Sequence, residues 1–156
     1  MEERFEAFTV LIAALNRCIY KIKAEEMAEL DLKSSHVSCL YYLYRKEPLT
    51  AKELCGLCGE DKANMSRTVR YLEGAGYIVC ESNGRKAYQS ALRLSEKGRR
   101  TGVYIAGRVD KILVAASAGL REEERSVMYR GLGLILDNLE KICYSYRQKE
   151  KTGQTK

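Results

Sequence analysis

Between Lys62 and Arg93 the chain carries six basic and two acidic residues, a local net charge of +4. Their types and spacing point to one chemistry. Lys62, Ala63, Asn64, Ser66, Arg67 and Arg70 share the polar side of a 3.6-residue period, while Met65, Val69 and Leu72 share the apolar side. An asparagine carboxamide pairs bidentately with the edge of adenine and an arginine guanidinium with that of guanine, which makes Asn64 and Arg67 candidate base readers. Lys62 and Arg70 suit phosphate oxygens, which fix position without carrying sequence information. Further along, Arg85 and Lys86 follow Gly84, so two cations and a bare stretch of backbone would project together from a turn. Such a set suits an acidic, grooved partner, double-stranded DNA.

The elements that must hold these residues can be read from local signals. Residues 34–44 have a helical period, with Val37, Leu40, Leu43 and Tyr44 on one face and Ser34 or Ser35 as the N-cap. Glu47-Pro48 ends that helix, because the residue before a proline is pushed out of the helical region. Thr50-Ala51-Lys52-Glu53 is a capping box that starts a short helix stopping at Gly59. Asp61 caps a third helix, which carries the polar face described above and runs to Gly74-Ala75-Gly76, where glycine fits a left-handed C-terminus. The period then changes to 2 in residues 77–81 and 88–94, around the hairpin signal Asn83-Gly84. Ser95 caps a further helix to about Ser117, and a break at Ala118-Gly119 precedes the last one, which Arg121 marks only weakly. Helix, short helix, turn, helix and hairpin make a winged helix-turn-helix, in which the second helix of the turn enters the major groove and the hairpin tip touches the backbone or minor groove.

Long helices flank this lobe. Phe5, Phe8, Ile12, Leu15, Ile19 and Ile22 alternate steps of three and four, and so do Met128, Leu132, Ile135, Leu139, Ile142 and Tyr146. That is the spacing of a stripe buried against another helix. Each helix has more apolar face than one partner would cover, so the two are expected to pack together and against a second copy. Intramolecular packing alone is the alternative. The expected architecture is mainly α with a small β-hairpin. Residues 1–30 would form an N-terminal dimerisation helix and 31–94 a DNA-binding lobe. Residues 95–148 would supply linker and C-terminal dimerisation helices, and 149–156 a frayed tail.

The segments Leu54-Cys55, Asp61-Lys62-Ala63-Asn64-Met65-Ser66-Arg67, Tyr71-Leu72-Glu73-Gly74-Ala75-Gly76-Tyr77-Ile78 and Leu94-Ser95-Glu96-Lys97-Gly98 resemble the MarR family of bacterial transcription regulators. The family's patterns there are EL-A, D-K-S-T-V-T-R, L-E-x-x-G-(L/Y)-I and L-T-x-K-G. With the flanking helices the resemblance covers the whole chain. It implies a homodimer whose terminal helices form the interface and whose two winged lobes straddle a palindromic operator. It also implies a pocket between interface and lobe, where small ligands or oxidants relieve repression. The sequence departs from the pattern in three places. The family's Asp-x-Arg wing motif has no acid here, although Arg85 matches its arginine. Lys33 stands where the family has a capping Thr, and His36 where it often has Gln.

Tyr41, Tyr42 and Tyr44, with His36, mark the helix that by resemblance borders the pocket. Aromatic walls with hydroxyl tips suit an aromatic or amphipathic effector, and tyrosines equally fill helix contacts. Gly98, Gly102 and Gly107 lower the stability of their helix, and either allow close helix approach or leave a pliable joint.

Other chemistries find less support. Cys55-x-x-Cys58 has no second CxxC or CxxH to complete a zinc site, so the cysteines read as small apolar residues and no metal is expected. Cys18, between Arg17 and Lys21, is the candidate redox thiol. With one histidine, no tryptophan and no H-E-x-x-H or G-x-S-x-G, no catalytic set and no cofactor site is found. No apolar run approaches a membrane span, and neither amphipathic helix has the strongly cationic face of a membrane-surface helix. MEERFEAF is not an export signal, so the six cysteines are expected as reduced thiols in the cytoplasm. The net charge of +6 gains meaning only from its concentration on the third helix and wing. The expected function is an effector-responsive repressor that binds a palindromic operator as a homodimer. The alternatives are a thiol-based redox regulator of the same fold and a protein-interaction winged helix that does not bind DNA.

Overall fold

The computed structural model describes residues 2–81 and 90–151. The chain divides into two compact units, Met1–Lys111 and Ile112–Lys156. The first begins with α1 (Glu2–Glu26) and a 3-10 turn at Ala28–Leu30, followed by α2 (Ser34–Lys46), β1 (Leu49–Thr50), α3 (Ala51–Cys58) and α4 (Lys62–Gly74). Strands β2 (Ile78–Glu81) and β3 (Ala91–Leu94) lead into α5 (Glu96–Ala116), within which the unit boundary falls.

Met27, Val37, Cys39, Leu40 and Leu43 close the core from one side, and Leu54, Met65, Leu72, Ile78, Leu92 and Ile105 from the others. The stripe on α4 is buried as its period requires, with Val69 half-buried at its edge; Thr68, read as neither core nor contact, is buried too. Its hydroxyl donates to Ser35 Oγ at 3.2 Å.

The caps are mostly those the sequence indicates. Thr50 Oγ1 accepts from the Glu53 amide at 3.2 Å, and Glu53 Oε2 accepts from the Thr50 amide at 2.7 Å. Asp61 Oδ1 accepts from the Asn64 amide at 2.7 Å. Gly59 and Gly76 take left-handed φ values of 66° and 74°, which end α3 and turn the chain after α4. The start of α2 requires a correction. Ser34 is already helical and Lys33 is the N-cap residue. A lysine side chain has no acceptor, and His36 Nδ1 takes the Lys33 amide at 3.3 Å instead.

A three-stranded antiparallel sheet has the order β1-β3-β2. Ile78 lies opposite Leu94 and Glu81 opposite Ala91, and β1 adds Leu49 opposite Leu92. This short strand was not evident in the sequence, where two residues after a proline offer no alternation to read. The Asn83-Gly84 tip and Tyr88 lie outside the described residues.

Side chains far apart in sequence fasten the sheet to α5. Ser95 Oγ accepts from the Gly98 amide at 3.0 Å and reaches Gly76 O at 2.7 Å, joining the start of α5 to the turn after α4. Glu47, at the end of α2, accepts from the Leu94 amide at 2.9 Å and pairs with Arg99. Burial alone would raise its carboxyl pKa, but the Leu94 amide, Arg99 and Arg93 together hold it below the usual carboxylate range. A lowered folded-state value means the stabilisation is complete above the unfolded pKa and is lost as pH falls through the folded one. Glu47→Gln should therefore flatten the acid limb of a melting-temperature profile while leaving the neutral-to-alkaline slope unchanged; an identical acid limb would show that other carboxylates govern it.

Gly98 and Gly102 of α5 are where close approach is required. A Cβ at Gly98 would lie 1.9 Å from Tyr77 O, and one at Gly102 would lie 2.9 Å from Tyr44 Cβ. Gly107 has nothing within 4 Å, so the packing explanation holds for two of the three.

The second unit contains α6 (Glu122–Lys151), preceded by Gly119 at φ 88°. The missing start signal comes from inside the helix, where Glu124 Oε2 accepts from the Arg121 amide at 2.8 Å. Within the single chain both long stripes are exposed, through Leu15, Ile19 and Ile22 on α1 and Ile135, Leu139 and Ile142 on α6.

Candidate nucleic-acid interface

Helix α4 presents the face that its sequence predicts. Lys62, Ala63, Ser66, Arg67 and Arg70 are exposed and Asn64 is half-buried, opposite the fully buried Met65 and Leu72. Among the described residues neither Arg67 nor Arg70 has an ion-pair partner, so both guanidiniums keep their donors for an outside acceptor. Asn64 is less free. Its carboxamide donates to Glu60 one turn earlier, a bond the i, i+4 spacing permits. One amide hydrogen and the carbonyl oxygen of Asn64 remain for a base edge, with Glu60 fixing their direction. Arg85 and Lys86 lie outside the described residues.

Of the candidate effector residues, only His36 lines the groove beside α4. His36 is 6% exposed, and its ring stacks on Tyr71 of α4 with centroids 4.2 Å apart and planes 5° from parallel. It lines a groove of about 640 Å³ with Lys33, Ser35, Arg67, Thr68 and Tyr71. Tyr41, Tyr42 and Tyr44 do not line this groove. Tyr41 and Tyr42 meet edge to face at 5.3 Å, Tyr44 packs on Gly102, and Arg45 lies over Tyr41 at 5.5 Å while pairing with Asp110 at 2.5 Å. The difference follows from α2 itself: His36 is in its first turn and faces α4, whereas Tyr44 is in its last and faces α5.

The cysteines are free. Cys39 is fully buried, and burial pushes its thiol pKa upward. Cys55, Cys58 and Cys80 are half-buried against the core. Burial raises Cys58 to about 11 although Lys23 nearby pulls the other way, so it is a poor thiolate at neutral pH. Cys18 is exposed on α1. No group of three or more metal-ligating side chains occurs among the described residues, and none of the helices searched is long and apolar enough to cross a membrane.

A short helix capped by Thr50, a second capped by Asp61 with its cations outward, and a sheet behind them form a winged lobe, and family comparison agrees. Residues 30–86 match the MarR family. The fold is that of MarR-type winged-helix proteins. The chain is similar in structure to a MarR family regulator from Neisseria meningitidis, at 16% identity and TM-score 0.80, over 92% of this chain and 98% of that one. It is also similar to a Staphylococcus aureus MarR in complex with salicylate and kanamycin, at 18% identity and TM-score 0.75, over 90% and 95% of the two chains. A third similar structure is the Staphylococcus aureus MepR–DNA complex, at 17% identity and TM-score 0.72, over 84% and 97%. No curated protein sequence matches the chain. The MarR match contains α2, α3 and α4, the last of which carries the candidate base-reading face.

Proposed function

We propose that this chain is a sequence-specific DNA-binding transcription regulator, a repressor that grips a palindromic operator as a homodimer. The observation that carries this reading is the exposed face of α4, where Arg67 and Arg70 have no ion-pair partner among the described residues. A guanidinium aimed at solvent from the second helix of the turn is the usual means of reading guanine in the major groove. The MarR match over this segment and the similar MepR bound to DNA support it. The exposed stripes of α1 and α6 support pairing of two copies, because a soluble monomer rarely leaves such long apolar faces in water. Residues 1–30 and 95–148 then serve as the dimerisation arms, residues 31–94 as the reading lobe, and the dimer works in the cytoplasm. The salicylate complex of a similar MarR supports a small aromatic effector for this chain too, with Tyr41, Tyr42 and Tyr44 as candidate contacts.

Selection of bound duplexes from a random pool, with the purified protein, tests the reading. Inverted repeats with half-site centres about one helical turn apart are expected. Affinity should fall steeply with salt because phosphate contacts release counterions. A pool that shows no enrichment at low salt would leave the protein-interaction alternative standing.

A further inference from the structure

The groove beside α4 carries donors that no assigned role uses. We propose that it is an oxyanion site which, in the DNA complex, holds a backbone phosphate flanking the bases read by α4; the proposal rests on the DNA-binding reading above. The stacked pair of His36 and Tyr71 lines it, together with Lys33 and Ser35.

The donor set follows from how α2 begins. Lys33 is the N-cap residue and supplies no side-chain acceptor, so the amides of Ser34 and Ser35 have none among the described residues. The first turn of α2 contains no acidic residue, which leaves the positive end of the helix uncompensated. His36 adds an independent observation. Its ring is more than nine-tenths buried and Nδ1 is taken by the Lys33 amide, so the neutral ring carries its proton on Nε2. That donor has no partner among the described residues, and the imidazole lines the groove. Burial first, and then Lys33, hold the His36 pKa below its ordinary value, which keeps this tautomer at neutral pH. Ser35 Oγ already accepts from Thr68, so its own hydrogen is free to point outward. Against the ammonium of Lys33 the lining has one acid, Asp31; the guanidinium of Arg67, assigned above to a base edge, is not counted among the groove's donors. Donors predominate, and an acceptor-only group is what they fit.

Location selects the source of the anion. The groove is lined by Asn64, Arg67 and Tyr71 of α4 as well as by the start of α2, so Lys33 and His36 lie at the flank of the face that would enter the major groove. A helix seated there has a phosphate backbone at its side, and contacts from a neighbouring helix N-terminus set its depth and register.

Lys33→Gln and His36→Phe in the full-length protein test this; phenylalanine keeps a ring on Tyr71 and removes both nitrogens. Binding to the selected operator and to an unrelated duplex is measured across a salt series. Lys33→Gln should weaken both duplexes by a similar factor, leave base preference unchanged and reduce the slope of log K against log salt by about 0.9. His36→Phe should weaken both severalfold; because it also removes the acceptor of the Lys33 amide its melting temperature should fall slightly, so binding is compared at a temperature where both proteins are fully folded. The chain has one histidine, so its ring signals in an NMR spectrum report the groove directly, and they should shift on duplex addition. Ring signals that move with millimolar inorganic phosphate but not with duplex would assign the groove to a free anion and overturn the proposal. Unchanged slopes and affinities in both variants, with Arg67→Ala still weakening the operator, would overturn it and leave the DNA-binding reading intact. Loss of duplex binding by the unaltered protein would remove both.

Discussion

Gly98→Ala is expected to destabilise the lobe by about 2–3 kcal/mol, the upper part of the range for forcing a methyl group into a packed site, because this one cannot relax cheaply. The methyl would sit 1.9 Å from Tyr77 O, 3.0 Å from the carbonyl carbon behind it and 3.2 Å from Leu94 Cδ2. Two of those atoms are backbone, so no side-chain rotation relieves the clash. The carbonyl is also held in place, because it accepts from the Ser95 amide at 3.0 Å. Moving it would break the seam that joins the turn after α4, the residue that leads into β2 and the start of α5. Two companion substitutions separate this mechanism from a general response of the helix. Gly107→Ala meets nothing within 4 Å and is expected to stabilise by about 0.5–1 kcal/mol through helix propensity. Gly102→Ala, 2.9 Å from Tyr44 Cβ, should fall between them. Chemical denaturation of the three variants gives the order; a Gly98→Ala protein as stable as Gly107→Ala would refute the steric account.

The same contrast shows which parts of this fold are legible in its sequence. Thr50 with Glu53, and Asp61 with the Asn64 amide, are pairs three residues apart whose chemistry is complete within one helical turn. The cap of α2 is equally local but uses an imidazole where a hydroxyl is expected, so the sequence points to Ser34 or Ser35 rather than to Lys33 with His36. The start of α6 was obscure for a related reason: Glu124 supplies the acceptor from the third helical position and Arg121 offers only its amide. Glu47 defeats sequence reading in another way. Its partners, the Leu94 amide and Arg99, become neighbours only when β3 returns beside β1, and no pattern within a window of ordinary length encodes that. The candidate interface divides along the same line. The exposed cations of α4 follow from its period, whereas the stack of His36 on Tyr71 needs the crossing of α2 and α4. His36, Tyr41, Tyr42 and Tyr44 share a helix that resemblance alone places beside a pocket, and the different neighbours they meet depend on how α4 and α5 cross it.

Arg67→Ala should weaken binding to the selected operator by about 1–3 kcal/mol, roughly 5- to 150-fold, and relax preference at one base pair in each half-site. The size follows from a bidentate bond between a charged donor pair and the edge of guanine, for which alanine has no replacement. Folding should be unaffected, because Arg67 is exposed and has no ion-pair partner among the described residues, so its removal leaves no buried charge alone. This distinguishes it from Asn64, whose link to Glu60 ties any substitution to the geometry of the turn. Arg70 supplies the internal comparison. It lies on the same exposed side nearly one turn further along, where it suits a phosphate, so Arg70→Ala should weaken all duplexes by a similar factor and make the salt dependence less steep. The two variants therefore predict opposite patterns on a panel of single-base operator changes: a flattened column at one position for Arg67→Ala, and a uniform offset for Arg70→Ala. Uniform offsets from both would mean that α4 docks on the backbone and that bases are read elsewhere. An unchanged panel for both would place the DNA-contacting surface off α4 altogether, and the MarR-type lobe would then be using its exposed guanidiniums for a different partner.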